Sequence, residues 1–253
     1  MTTDRFFLED YSDLQSSKVF RLQGSVHHHI SRVARKRTDD EVELVSGKGF
    51  IAKGRIVTIK KYETTIEILC LDKCKKIQPH IHLVIPLLKR ENDFELAIKA
   101  VTELGIDSIN IMQSERAHHL NAKRLRSRMV RYRKIIVSAG VLARLYWFPA
   151  IEYLGHLSQL SNKLTDKSIV IAGLEPALND RCYRSQITKK IELSSPDHLF
   201  MLVGPEGGWG EKDLELIKNI GSYYLQLGFN NLSSSVAAIS GIAVLIRQFR
   251  SLN

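Results

Sequence analysis

"HIHLVIPLLKRENDFELAIKAVTELGIDSINIM", residues 80–112, changes its periodicity twice. "HIHLVIPLL" (80–88) is a nearly unbroken apolar run, the texture of a strand covered on both faces. Between 92 and 105 the apolar positions Phe94, Ile98, Val101 and Leu104 recur at helical spacing, and Gly105 supplies the stop. "IDSINIM" (106–112) returns to a strand. Further strands are expected at "SIVIAGL" (168–174), "LFMLVG" (199–204) and "YYLQLG" (223–228), with helices between and after them. Apolar strands alternating with helices predict an α/β domain over 78–253, built on a parallel sheet with helices on both faces.

Before it the texture differs. "KVFRLQG", "EVELVSG", "FIAKGRIVTIKKY" and "TTIEILCL" are short, β-branched, alternating stretches separated by turn residues. They predict a small antiparallel barrel or sandwich over residues 1–74. "HHHISRVARKR" (27–37) interrupts them as a short basic helix. Its three adjacent histidines point in different directions and make a weak metal site; no metal is expected.

Lys and Arg total 37 against 27 Asp and Glu, a net charge of +10. Such an excess favours polyanions and makes nucleic acid the leading partner, although solubility alone would also account for it. Seven of the twelve residues from Lys123 to Lys134 are Lys or Arg and none is acidic. Arg124, Arg128 and Arg131 share a helix face there, an arrangement suited to phosphate. Cys70, Cys74 and Cys182 form an odd, sparse set that reads as reduced thiols. The N-terminus carries acids where an export signal needs basic and apolar runs, so a cytoplasmic location is expected. The final apolar helix, Val236 to Phe249, is too short to span a bilayer, and Arg247 and Arg250 are expected to face solvent.

"VGPEGGWGEKDLELI" (203–217) places four glycines, a proline and an acid at the end of a strand, with Asp213 three residues after the N-cap position Gly210. It fits neither a P-loop nor a dinucleotide fingerprint. It does fall at the carboxyl edge of the sheet, where ligands bind and bare backbone permits close approach. A tight connection would use the same glycines, so the residues alone leave both readings standing.

"VGPEGGW", with "LQLG" and "SVAAISGIAVL" after it, resembles the SPOUT class of methyltransferases. More narrowly it resembles the ribosomal small-subunit methyltransferase E family, which methylates uracil N3 in 16S ribosomal RNA. "DRFFLED" (4–10), "HISRVAR" (29–35), "TELGIDSINIMQSER" (102–116) and Arg144 with "FPAI" carry the likeness through nearly the whole chain. The resemblance implies a PUA-like RNA-binding barrel, a C-terminal domain with a deep trefoil knot, a homodimer, and S-adenosylmethionine as donor. It places the donor against Leu174 and Glu175, against Gly204, Pro205, Glu206, Gly207 and Gly208, and against Leu227, Gly228 and Leu232. It gives Glu206, Arg116, Ser233 and Ser235 to the reaction centre, and Arg5, His29, Arg35, Arg124, Arg128, Arg131 and Arg144 to RNA of the small ribosomal subunit. Several positions depart from the family pattern: Ser233 stands where an Arg is usual, Ser235 where a Glu is usual and Ala100 where a Lys is usual, and "SAGVLAR" (138–144) lacks the acid and Gln usual there. Two functions follow, an active methyltransferase, or a divergent RNA-binding paralogue with weak, lost or redirected transfer.

Overall fold

The computed structural model describes residues 3–11, 18–117, 121–174 and 196–250. The chain divides into two compact units, Met1–Lys76 with Val137–Phe148, and Ile77–Ile136 with Pro149–Asn253. The segment Val137–Phe148, which the sequence left inside the second domain, therefore groups with the first unit.

In the first unit, β1 (Asp4–Phe7), β2 (Val19–Gln23), β3 (Glu41–Val45), β4 (Phe50–Ile59) and β5 (Glu63–Lys73) form one sheet in the order β1-β3-β4-β5-β2. All pairs are antiparallel except β1 with β3, a parallel pair that turn spacing did not reveal. Helix α1 (Gly24–His28) runs on into a π-helical turn at His29–Val33, closed by Ala34 N–H donating to His29 C=O at 2.8 Å. Arg35, at φ 51°, then ends the helical run in the left-handed conformation usual just past a helix C-terminus. Phe6, Leu22, Ile30, Leu44, Ile56 and Ile66 fill the core.

Within this unit Glu43 is buried, against the alternation that would put it outward with Glu41. Arg5 lies opposite it across the parallel pair. One carboxylate oxygen, Glu43 Oε2, accepts from Arg5 Nε at 2.9 Å and from Arg144 Nη2 at 2.6 Å. Arg5 also donates to Leu145 C=O, and Arg144 to Thr3 C=O.

The second unit contains β6 (His80–Pro86), α2 (Glu91–Glu103), β7 (Ser108–Gln113), α3 (Ala122–Leu142), whose last turns belong to the first unit, and β8 (Ala150–His156). A 3₁₀ turn (Leu157–Lys163), β9 (Ser168–Gly173), β10 (His198–Leu202), α4 (Glu211–Asn219), β11 (Tyr223–Leu225) and α5 (Ser234–Phe249) follow. The sheet runs β11-β9-β10-β6-β7-β8 and every pair is parallel. Leu157, Leu160, Trp209 and Ile217 pack on Val84, Val170, Phe200 and Leu202 to form one core layer. Met201, pointing the other way by strand alternation, meets α5 at Gly241. Helix α5 also lies against α2 and β6.

Two expectations need correction here. Leu104 is 37% exposed, because α2 ends at Glu103 and Gly105 turns the chain at φ 81°; Ala97 and Thr102 join the buried face instead. Arg250 does not face solvent. It is buried, paired with Asp107, and donates to Pro79 C=O at 3.0 Å and Gly105 C=O at 2.6 Å. Asp107 also accepts from Ile81 N–H and lies 3.1 Å from His80 Nδ1, so the end of α5 is fastened to the start of β6 and β7. No helix among the described residues is long and apolar enough to cross a membrane.

Candidate active site

A parallel sheet directs its strand ends, and so its loops, to one edge. At that edge β9, β10 and β11 deliver residues 173–174, 203–205 and 225–232 around a half-open cleft of about 510 Å³, the solvent at its mouth included. Leu174, Gly204, Pro205, Leu227, Gly228 and Leu232 line it, six residues assigned to the donor from sequence. Glu206, Gly207 and Gly208 do not line it, and Glu175 lies outside the described residues.

What the glycine loop does besides is visible in its partners. Gly208 N–H donates to Pro205 C=O at 2.9 Å, closing a turn that the chain leaves through Gly208 in the left-handed region, at φ 72°. Glu206 Oε2 accepts from the backbone N–H of Lys89 after β6, at 3.4 Å, and Gly207 C=O accepts from Arg116 Nη1 after β7, at 3.3 Å. The loop is thus tied to the ends of two neighbouring strands.

Trp209 was not singled out in the sequence and proves central. Its indole is buried, donates from Nε1 to Gly173 C=O at 2.9 Å, and lies so close that a Cβ on Gly204 would stand 3.0 Å from the ring. Gly210 is equally confined: a Cβ there would come 2.8 Å from the Cβ of Glu115. Glu115 and Asp213 brace each other across the start of α4. The Asp213 carboxylate accepts from the N–H groups of Glu115 and Gly210, while Glu115 Oε2 accepts from Lys212 N–H at 3.2 Å. Carboxylates at a helix N-terminus satisfy its free N–H groups and suit its dipole.

Serines 233–235 open α5. Ser233 is its N-cap, with Oγ accepting from Val236 N–H at 3.4 Å, and Ser234 Oγ donates to Gly204 C=O at 2.7 Å. It is Ser234, absent from the sequence candidates, that lines the cleft. Ser235 is only 6% exposed, and its hydroxyl lies 3.1 Å from that of Ser233. A glutamate at 235 would place a carboxylate where a hydroxyl is the partner. Ser235→Glu alone is therefore expected to lower unfolding free energy by about 2 kcal/mol. Adding Ser233→Arg should return about half of that by pairing the charge. Urea denaturation of the two single variants and the double variant measures both terms.

The cationic candidates separate into two groups. Arg5 and Arg144 hold Glu43, Arg128 lies 3.0 Å from Glu91, and Arg131 donates to Glu95 at 2.8 Å. The missing acids of the basic helix come from α2, whose Glu91 and Glu95, one turn apart, meet Arg128 and Arg131. Arg124, Arg126 and Arg133 are exposed on α3, and no ion pair engages them among the described residues. Arg116 is exposed beside Gly207, Arg35 is exposed, and the exposed His29 packs edge-on to Phe6. Among the described residues no group of three or more His, Cys, Asp or Glu is arranged to hold a metal ion.

The cleft suits S-adenosylmethionine in kind. Its lining has apolar walls from Leu174, Leu227 and Leu232, backbone from three loops, polar side chains from Asn230 and Ser234, and, among the described residues, no charged side chain. Such a lining takes a flat heterocycle between leucines and reads it with main-chain groups. A Cβ on Gly228 would meet nothing within 4 Å, so the backbone there is open to a ligand.

Comparison with known proteins agrees with this architecture. The family model of the RNA methyltransferase PUA domain matches residues 22–69, and that of the RNA methyltransferase domain matches residues 75–246. Ribosomal RNA small subunit methyltransferase E of Buchnera aphidicola is 24% identical over 97% of this chain and 93% of its own length. The protein of the same name from Bacillus subtilis is 21% identical over 96% of each. A crystal structure of a ribosomal RNA small subunit methyltransferase E from Neisseria gonorrhoeae, bound to S-adenosyl methionine, superposes with a TM-score of 0.79 at 23% identity. It covers 97% of this chain and 98% of that one. With its C-terminal unit matched along nearly all its length and a PUA domain before it, this chain belongs to the RNA methyltransferase domain family.

Proposed function

We propose that this protein transfers the methyl group of S-adenosylmethionine to 16S ribosomal RNA of the small subunit, with N3 of a uracil as the acceptor. The observation that carries the proposal is the three-loop cleft at the carboxyl ends of β9, β10 and β11, uncharged among the described residues. When bound, the donor supplies an activated methyl group. Leu174, Leu227 and Leu232 would hold its heterocycle, and Gly228, with open space where a Cβ would stand, would leave room beside them. Arg116, the exposed cation next to the glycine loop, stabilises the anion that uracil becomes on losing its imide proton to solvent, and N3 then takes the methyl as the S–CH3 bond breaks and S-adenosylhomocysteine leaves. Glu206 orders the loop through Lys89 N–H. We extend the proposal to a knotted passage of the chain around the cleft and to a cytoplasmic homodimer. Val236 and Val244, exposed on α5, fit a subunit contact.

The serines favour a second reading, an RNA-binding paralogue without transfer, since Ser233 caps a helix and Ser235 is buried. Labelled S-adenosylmethionine and small ribosomal subunits lacking the uridine mark separate the two. Label at uracil N3 establishes the enzyme, donor binding without transfer establishes the paralogue, and no donor binding removes the cleft from both.

A further inference from the structure

The hairpin between β4 and β5 ends in Lys60-Lys61-Tyr62-Glu63, closed by Lys60 N–H donating to Glu63 C=O at 2.8 Å. Beside it lies α1, and between them is an open hollow of about 850 Å³, the solvent at its mouth included, lined by Gln23, His28, Arg32, Lys61 and Tyr62, with His27 at its base. His27 braces the hairpin from below. Its Nδ1 is 2.8 Å from Thr64 Oγ1 and its Nε2 3.3 Å from Lys61 C=O, which fixes the tip against the helix. Tyr62 stands 71% exposed, with Lys61 Nζ 5.0 Å from its ring centroid on one face. Among the described residues no carboxylate lines the hollow, and the neighbouring Glu63 is engaged by Gln23 Nε2 at 3.0 Å. Arg32 sits on the π-helical turn, an irregularity frequent at functional sites, and is exposed.

An outward aromatic ring among cations that no carboxylate engages, as here among the described residues, is what holds a single-stranded nucleic acid: the base stacks on the ring and the backbone meets the charges. We infer that this hollow binds one unpaired nucleotide of RNA, its base on the free face of Tyr62 and its phosphate between Arg32 and Lys61. The inference rests on the reading of the protein as one that acts on RNA, and it names a subsite in the first unit for that partner. A lone exposed tyrosine would mean little. The buried histidine holding the tip, the absence of acids and the two flanking cations together give the ring a ligand of defined chemistry.

The test uses the full chain and a fluorescein-labelled, unstructured ten-nucleotide RNA of mixed U and A, followed by anisotropy. Tyr62→Ala should weaken binding about tenfold and Tyr62→Phe less than about twofold, as one stacked base requires. Arg32→Ala and Lys61→Ala should each flatten the dependence of log K on log salt by about one charge. A fully paired RNA duplex should not register the loss of Tyr62. The inference is overturned if Tyr62→Ala binds the single strand as wild type does, if duplex and single strand weaken equally, or if wild type binds no single strand. Methyl transfer by the wild type to small subunits is scored separately, so failure of the subsite and failure of the methyltransferase reading give different results.

Discussion

Gly228→Leu is expected to raise the dissociation constant for S-adenosylmethionine by at least about a hundredfold, equivalent to about 2.7 kcal/mol, while leaving the fold intact. Gly228 lines the cleft just after β11, and its carbonyl is held by Gln226 Nε2 at 2.8 Å. Among the described residues a Cβ at this position meets no atom within 4 Å and the backbone is not left-handed, so a side chain can begin here without strain. The room it occupies is the room a donor needs. Isothermal titration gives the affinity and calorimetric unfolding the stability; methyl transfer should fall with the affinity. Gly204→Leu, by contrast, collides with the Trp209 indole and should lower stability by about 1–3 kcal/mol as an overpacked core. Donor affinity within threefold of wild type in Gly228→Leu, on a folded protein, would mean the donor lies elsewhere.

Glu43→Gln should be the most destabilising conservative change in the first unit, by about 3–5 kcal/mol. The side chain of Glu43 is buried and that of Arg5 is 6% exposed; the same oxygen accepts from Arg144, a residue far along the chain. Removing the charge leaves two guanidinium groups facing each other with no anion between them. Leu145 C=O, the backbone acceptor of Arg5, keeps that buried group from swinging out to water, while Arg144, 39% exposed, already reaches it. At this chain length the loss corresponds to a fall in Tm of about 10 °C. Arg5→Met in the Glu43→Gln background should recover part of it, because an apolar side chain removes one unpaired buried charge. A fall below about 2 °C in the single variant would show that the cluster carries little stability.

Much of the second unit was legible because its signals are local. Apolar runs of five to seven residues mark β6, β7, β9 and β10, and the start of α4 follows from Gly210 and Asp213. β8 escaped because "AIEYLGH" alternates weakly at a sheet edge and contains Gly155 at φ 80° beside a register shift. β1 escaped because four residues carry little periodicity, and its partner β3 is more than thirty residues away. In the site, the glycine loop was visible as a string, whereas Ser234 and Trp209 acquire meaning only when β9 and β10 bring Gly173 and Gly204 alongside them. The arginines were harder still. Charge on one helix face shows a cation, and only the packed neighbour shows whether an acid already holds it, as Glu91 and Glu95 do for Arg128 and Arg131.

The close packing around Gly204 and Gly210 bears on how such a chain changes under drift. Gly204 makes space for Trp209, and Gly210 for Glu115, whether or not a methyl group is ever transferred. A lineage released from turnover would still lose stability on replacing either glycine, while the exposed Arg116 could be exchanged at smaller cost. Its most recognisable string would therefore outlive its chemistry, and the first substitutions to accumulate would be found among the polar residues at the rim of the cleft.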